Sequence, residues 1–203
     1  PSKDGIDLDS GAVYVFDAIS GAELAKIELD DAEKFDRFGG SVAISGDIAI
    51  IGARGRKRSY IRTGGAYLYD LNTYQQHARL SADDADHMDY FGYSVSISGG
   101  TAVVGAMFDR DNGFRSGSAY LFDVNTGAQL AKLLPSDAAN YDTFGWSVAI
   151  CDDNALVGAK FDDDNGSGSG SALSPASPSG ASANTSSATP AAFFLFFLLL
   201  FLF

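Results

Sequence analysis

Phe91-Gly92-Tyr93-Ser94-Val95 decides the fold because it does not stand alone. Its copies are Phe38-Gly39-Gly40-Ser41-Val42 and Phe144-Gly145-Trp146-Ser147-Val148, and both intervals are 53 residues. The sequence around them keeps the same step. A Gly-Ala pair recurs at Gly52-Ala53, Gly105-Ala106 and Gly158-Ala159. An aromatic run ending in Asp recurs as Val13-Tyr14-Val15-Phe16-Asp17, Ala66-Tyr67-Leu68-Tyr69-Asp70 and Ala119-Tyr120-Leu121-Phe122-Asp123. Self-similarity at a fixed period makes the repeat the unit of structure.

One copy reads as four short strands. Tyr93 to Ile97 alternates polar and apolar residues, and Ser98-Gly99-Gly100 turns the chain. Thr101 to Gly105 is almost wholly apolar, which calls for burial on both faces of a sheet. A polar loop from Asp109 to Gly117 leads to Ala119-Tyr120-Leu121-Phe122, and Asn125-Thr126-Gly127 turns into Gln129 to Leu133. Four such runs between Gly and Asn turns are four antiparallel strands. Four strands per repeat of about 40 to 50 residues is the signature of a β-propeller blade. The fold class is therefore all-β. Residues 1–30 supply the last two strands of one blade, 31–83 and 84–136 are complete blades, and 137–172 is an incomplete third. Gly170-Ser171-Ala172 still follows Gly117-Ser118-Ala119, but Leu173 stands where Tyr120 predicts an aromatic. Closed propellers need about four to eight blades, so the array is read as an incomplete ring. The chain also starts inside a repeat, as a fragment or processed product does.

Composition narrows the partners. Twenty-six acidic against 14 basic residues give a net charge of −12, which argues against a nucleic-acid partner. A single cysteine, Cys151, excludes an internal disulfide, and its register mates are Ser98 and Ser45. It is read as a serine-like strand position.

The Phe-Gly-x-Ser-Val start, the Gly-Ala pair and the Asp-x-Asp-Asn-Gly loop followed by Ser-Gly and an aromatic strand resemble the FG-GAP repeat family, the blades of integrin α-chain propellers and many surface proteins. The resemblance covers residues 1–172 and is to the short, calcium-poor variety. Arg54, Met107 and Lys160 replace the name-giving proline. The aspartate-rich loop of integrin blades, between Phe-Gly and Gly-Ala, is replaced here by short turns. The resemblance implies a surface interaction module whose propeller is not itself catalytic.

Three sets of side chains are candidate sites. Asp109, Asp111, Asp162 and Asp164 lie in the loops Asp109-Arg110-Asp111-Asn112-Gly113 and Asp162-Asp163-Asp164-Asn165-Gly166. Carboxylates on a tight glycine turn suit calcium, although a solvated Asx turn accounts for the same residues. The corresponding loop of the first complete blade is basic: Arg54, Arg56, Lys57, Arg58 and Arg62 hold five of the 14 basic residues. These would meet an anionic partner, a sulfated glycan or acidic protein patch, unless the loop has simply drifted. A third set, Asp31 and Asp36, Asp84 and Asp89, Asp137 and Asp142, repeats in every blade, which indicates turn formation rather than a unique site. His77 and His87 have no register mates and read as surface histidines.

Residues 173–190 are rich in Ser, Ala and Pro, the composition of a disordered linker. Ala191 to Phe203 is an unbroken apolar run of thirteen residues, short of the ~20 that a membrane span takes. Small residues, a polar spacer and an apolar end resemble a GPI-attachment signal, with Ser179 as the attachment residue. A short span and a mis-assembled end are the alternatives. Sequons at Asn165 and Asn184 would suit a secretory route. The function expected is a non-enzymatic, cell-surface or secreted module for adhesion to protein or glycan, tethered through its C-terminus. A scaffold for an absent enzyme domain, or a purely structural repeat, would carry the same array.

Overall fold

The computed structural model describes residues 9–58, 61–164, 166 and 169–173. The linker beyond Leu173, the apolar run, Ser179, Asn165 and Asn184 lie outside the described residues; Leu173, expected to open the linker, pairs with Val157 in the last sheet. Every regular element among those described is a strand. β1 (Val13–Phe16) and β2 (Glu23–Ile27) pair antiparallel as the half blade. β3 (Phe38–Ser45) and β4 (Ile48–Ala53) begin the first complete blade. A small ribbon, β5 (Lys57–Arg58) with β6 (Ile61–Arg62), interrupts it before β7 (Ala66–Asp70) and β8 (Gln75–Leu80). The next blade is β9 (Phe91–Ser98), β10 (Thr101–Ala106), β11 (Ser118–Asp123) and β12 (Gln129–Leu133). β13 (Phe144–Cys151), β14 (Asn154–Ala159) and β15 (Ser171–Leu173) form the last sheet. Each sheet is a meander in chain order, β3-β4-β7-β8, β9-β10-β11-β12 and β13-β14-β15. Among the described residues the array is open, as the count of repeats predicts. The short stretches at Asp31 and Ala82 are turns, and the basic loop carries the β5-β6 ribbon.

Burial follows position in the stack. β3, β9 and β13 touch from sheet to sheet, whereas β8 and β12 are the far edges of theirs. β10 lies between two sheets and is buried on both faces from Ala102 to Ala106; β14, with no further sheet beyond it among the described residues, alternates buried and exposed. Three apolar clusters fill the three boundaries between sheets. In the largest, Leu68 and Leu80 of one blade meet Phe91, Val104, Tyr120 and Phe122 of the next. Phe91 packs edge-on against Tyr120 and Phe122, with ring centroids 5.6 and 5.7 Å apart, and Phe38 meets Tyr67 in the same way at 5.7 Å.

The recurring letters explain themselves at these boundaries. The glycines of the first two Gly-Ala pairs lie against the backbone of the next blade. A Cβ on Gly52 would overlap the Gly92 carbonyl oxygen, and one on Gly105 would overlap that of Gly145. The same carbonyls accept hydrogen bonds from the motif's serine: Ser41 Oγ donates to Gly92 O at 3.0 Å and Ser94 Oγ to Gly145 O at 2.8 Å. Gly92 and Gly145 adopt φ of +83° and +87°, the left-handed region that glycine favours. Serine also explains Cys151. Ser45 Oγ accepts from the Gly99 amide and Ser98 Oγ from the Asp152 amide of the following blade, and exposed Cys151 holds that position in the last copy.

Replacing Gly105 by Ala should therefore force two blades apart and destabilise the array by about 3 kcal/mol, read by thermal or urea denaturation. Ser94→Ala removes only a hydrogen bond and should cost about 1 kcal/mol. Equal losses would sink the close-contact account.

Candidate functional site

Two sets of loops share one end of the array. Residues 28–37, 81–90 and 134–143 lead into each first strand, and residues 54–65, 107–117 and 160–170 join each second strand to its third. Backbone hydrogen bonds tie the sets together. The amides of Gly55, Phe108 and Phe161 donate to the carbonyls of Asp36, Asp89 and Asp142, and those of Met88 and Tyr141 donate to Arg62 and Phe114. The recurring aspartates act as caps: Asp36, Asp89 and Asp142 each accept the amide three residues back, at 2.6 to 2.7 Å. Burial pushes the Asp89 carboxyl up to about 6, against the pull of the Asp86 amide and with Asp109 repelling it.

This framework holds bulky residues in an unusual conformation. Phe35, Met88 and Tyr141, one repeat apart, have φ of +71°, +67° and +73°, a region that large side chains rarely occupy. All three side chains are exposed, as are Phe114 and Phe161. Cationic groups lie over the rings: Arg115 is 4.5 Å from the centroid of Phe108, Lys160 4.1 Å from Trp146 and Arg54 5.0 Å from Tyr93. Trp146 and Tyr93 are themselves 5.1 Å apart. A cavity of about 420 Å³ opens among Phe108, Arg115, Tyr141, Trp146 and Phe161.

Outward of this face, each blade boundary carries a polar cluster. Asp84, Asp109 and Asp111 bring carboxylate oxygens within 4.8 Å of one another, a donor set that could hold a cation. The Lys132 ammonium sits among them, 2.7 Å from Asp84, 3.0 Å from Asp109 and 2.5 Å from Asp111. The Tyr120 hydroxyl donates to Asp109 at 2.7 Å and to Asp84 at 3.0 Å. Burial works against the charges of Asp84 and Lys132. Their mutual hydrogen bonds prevail, holding the carboxyl below its usual range and the ammonium above its own. Any calcium at Asp109 and Asp111 has to displace this internal cation. At the next boundary Asp162 accepts from the Ser171 hydroxyl at 2.7 Å, and repulsion from Asp162 raises the exposed Asp164. Asp109 and Asp162 also accept the amides of Asp111 and Asp164 as Asx turns.

The repeats match a known family model. The model described as FG-GAP repeat fits residues 22–69, 74–122 and 128–173. The chain belongs to the FG-GAP repeat family. No curated protein matches the chain. FG-GAP repeats build propeller-like modules, often for adhesion or binding, generally non-catalytic and typical of extracellular and cell-surface proteins. Each matched unit is out of phase with the sheets. Residues 22–69 hold β2 of one blade and β3, β4 and β7 of the next, so the FG-GAP sequence unit spans a blade boundary. Among the described residues no helix is long and apolar enough to cross a membrane.

The basic FG-GAP loop is largely spoken for. Arg56 is buried and pairs with Asp36 at 2.6 Å and with Asp31; it turns the acidic cluster of the neighbouring boundary into an internal ion pair. Lys57 pairs with Glu33 at 2.8 Å. Arg62 donates to the carbonyls of Gly55 at 2.6 Å and Lys34 at 2.9 Å and covers Phe35. Arg54 covers Tyr93. The side chain of Arg58 is outside the described set. The expectation of one anion-binding patch thus gives way, for the two terminal nitrogens of Arg56, to internal ion pairs, because a buried guanidinium needs carboxylates beside it. His77 and His87 are exposed, and Trp146 is half-buried against Tyr93. Sequence reasoning passed over Lys132, Tyr120 and the Phe35-Met88-Tyr141 series. A signal existed for the first: Arg79 and Lys26 occupy the same register as Lys132, so a cation recurs there in all three copies of the fourth strand.

Lys132→Met should leave three carboxylates facing one another and lower stability by about 2 kcal/mol. Calcium should restore part of the loss, read as a melting temperature that differs between calcium and chelator in the variant. An indifferent variant would show that the trio is no cation cradle. Asp89 supplies a pH test. Its folded pKa lies above the unfolded value, so the ionised form is penalised on folding, and stability should fall by about 2 kcal/mol as pH rises from about 4 to about 6. Asp89→Asn keeps an acceptor for the Asp86 amide and should remove that slope.

Proposed function

We propose that this chain is a non-enzymatic, cell-surface or secreted FG-GAP propeller segment that binds a protein or glycan through its loop face and is tethered to a membrane at its C-terminus. The observation that carries the reading is the loop face itself. Exposed Tyr141 and Phe161 line a concave site with Arg115, and cations cover the rings of the loops: Arg62 over Phe35, Arg115 over Phe114 and Lys160 over Phe161. Aromatic and arginine side chains supply most of the free energy at binding surfaces, and ring faces receive side chains and sugar rings alike. Stiff loops lower the entropy lost on association, and these loops are cross-bonded through their backbones. A binding role without catalysis also agrees with the fate of the acids. Asp36, Asp89 and Asp142 cap turns, while Asp84, Asp109 and Asp111 hold Lys132, which commits them to structure.

The tether rests on sequence: the small-residue linker, the apolar run from Ala191 to Phe203 and the attachment triplet beginning at Ser179. Sequons at Asn165 and Asn184 suit the same secretory route. The loop face is tested by adhesion of the purified protein to cells and by a glycan array. Tyr141→Ala with Phe161→Ala should weaken binding at least about tenfold while the melting temperature stays within a few degrees. Unchanged binding would overturn the loop-face reading, and retained binding to deglycosylated cells would favour a protein ligand. Phosphatidylinositol-specific phospholipase should release the protein from cells that express it; retention beside a released control would remove the lipid anchor.

A further inference from the structure

A second concavity, of about 520 Å³, lies on the flank between β2 and β8 and shares no lining residue with the cavity at Tyr141 and Phe161. Its wall includes Arg56, Tyr67, Tyr74, Gln75, Gln76 and Arg79. Three of these are register mates of a set already described: Tyr67 of Tyr120, Arg79 of Lys132 and Arg56 of Asp109. One boundary further on, tyrosine and cation close on a carboxylate, with Asp109 Oδ2 accepting from the Tyr120 hydroxyl at 2.7 Å and the Lys132 ammonium at 3.0 Å. In the flank cavity the same tyrosine and cation have lost that carboxylate, because Arg56 replaces it and turns toward Asp31 and Asp36.

What is left is unpartnered. Among the described residues neither the Tyr67 hydroxyl nor Arg56 Nε has a hydrogen-bond partner, although the two residues are only 2% and 5% exposed. Arg79 lies 5.8 Å from the Tyr67 ring centroid and makes one long bond, 3.4 Å, to the Lys57 carbonyl; no described carboxylate pairs with it. Buried polar groups are rarely left in this state without a ligand or water to satisfy them.

We propose that the flank cavity binds a ligand carboxylate, seated where the Asp109 carboxylate sits one repeat on, accepting from the Tyr67 hydroxyl and Arg56 Nε and pairing with Arg79. The nearby acids do not forbid it. Arg56 is bonded to both Asp31 and Asp36 and offsets one of their two charges, Lys26 pairs with Glu28, Arg79 supplies a further cation, and Asp30 is exposed to water. The neighbouring boundary already holds Asp84 and Asp109 side by side around one ammonium. Gln75, Gln76 and Tyr74 offer polar contacts to the body that bears the carboxylate, whether a sugar acid or an acidic amino-acid side chain.

Calorimetry with glucuronate, glucose, N-acetylglutamate and N-acetylglutamine tests the proposal on the full chain. At least one acid should bind while its neutral counterpart does not, and which acid binds identifies the source. Tyr67→Phe, which deletes only the hydroxyl, should weaken binding at least about tenfold without lowering the melting temperature. Arg79→Gln should do the same, and Arg79→Lys, which restores the pairing seen at Lys132, should retain binding. Failure of both acids to bind, equal binding of the neutral analogues, or full binding by Tyr67→Phe would each overturn it. Tyr141→Ala with Phe161→Ala should leave this binding untouched, so the flank and loop-face readings fail separately.

Discussion

The contact between the glycine of one blade's Gly-Ala pair and the carbonyl of the next blade's Phe-Gly is the constraint on which the array depends. Gly52 against Gly92 and Gly105 against Gly145 leave no room for a methyl group, and Ser41 and Ser94 bind the same carbonyls. Backbone therefore approaches backbone at a fixed distance at each boundary, and the position of one first strand sets the position of the next. Everything apolar at the boundary, such as Leu80 against Phe91 and Tyr120, fills the volume that this contact defines. The hydrophobic effect supplies most of the attraction, but it is non-directional; the glycine contact supplies the register. This explains why the family's sequence unit straddles a boundary. What repeats is the joint between blades rather than the sheet.

A rigid joint has a consequence for the loop face. The loops into each first strand start and end on residues fixed by the joint, so their backbones repeat even where their side chains do not. Phe35, Met88 and Tyr141 share a left-handed φ near +70°, and Arg37, Tyr90 and Thr143 share one of +57° or +58°. The strain of that conformation is borne by a framework of cross-bonded backbone and by the buried caps Asp36, Asp89 and Asp142. Side chains there are free to vary because none of them is needed for the joint. Conserving backbone while varying side chains is how a repeat scaffold diversifies its ligands.

The parts of this structure that were legible in the sequence are those that the joint dictates. Phe-Gly-x-Ser-Val, Gly-Ala and the aromatic runs are read directly as strand boundaries, and the observed β9 to β12 fall within two residues of the runs expected. Asp36, Asp89 and Asp142 were legible as turn residues because each repeats without exception. The polar clusters were harder. Arg56 was read with its neighbours as a basic patch because sequence shows adjacency in the chain. The carboxylates that neutralise it, Asp31 and Asp36, lie 25 and 20 residues away. Lys132 was overlooked for the opposite reason: it belongs to a strand with no motif of its own, and its partners Asp84 and Asp109 come 48 and 23 residues earlier. The recurrence of a cation at Lys26, Arg79 and Lys132 was available, but its meaning depends on which acids the fold places beside it.

Those clusters show how function can diverge at constant backbone. At one boundary Arg56 bridges Asp31 and Asp36. At the next a lysine from the fourth strand bridges Asp84, Asp109 and Asp111. At the last, Asp137, Asp162 and Asp164 repel one another, which raises Asp164, and no cation faces them among the described residues. The three places are equivalent in register yet differ in charge, in hydrogen-bond satisfaction and in open volume. Where Asp109 and Asp111 give way to Arg56 and Arg58 in the same register, the closed ion cluster is matched by an open cavity with a buried hydroxyl left over. The joint tolerates that exchange because it is made by glycine, serine and backbone carbonyls, none of which lies in the cluster.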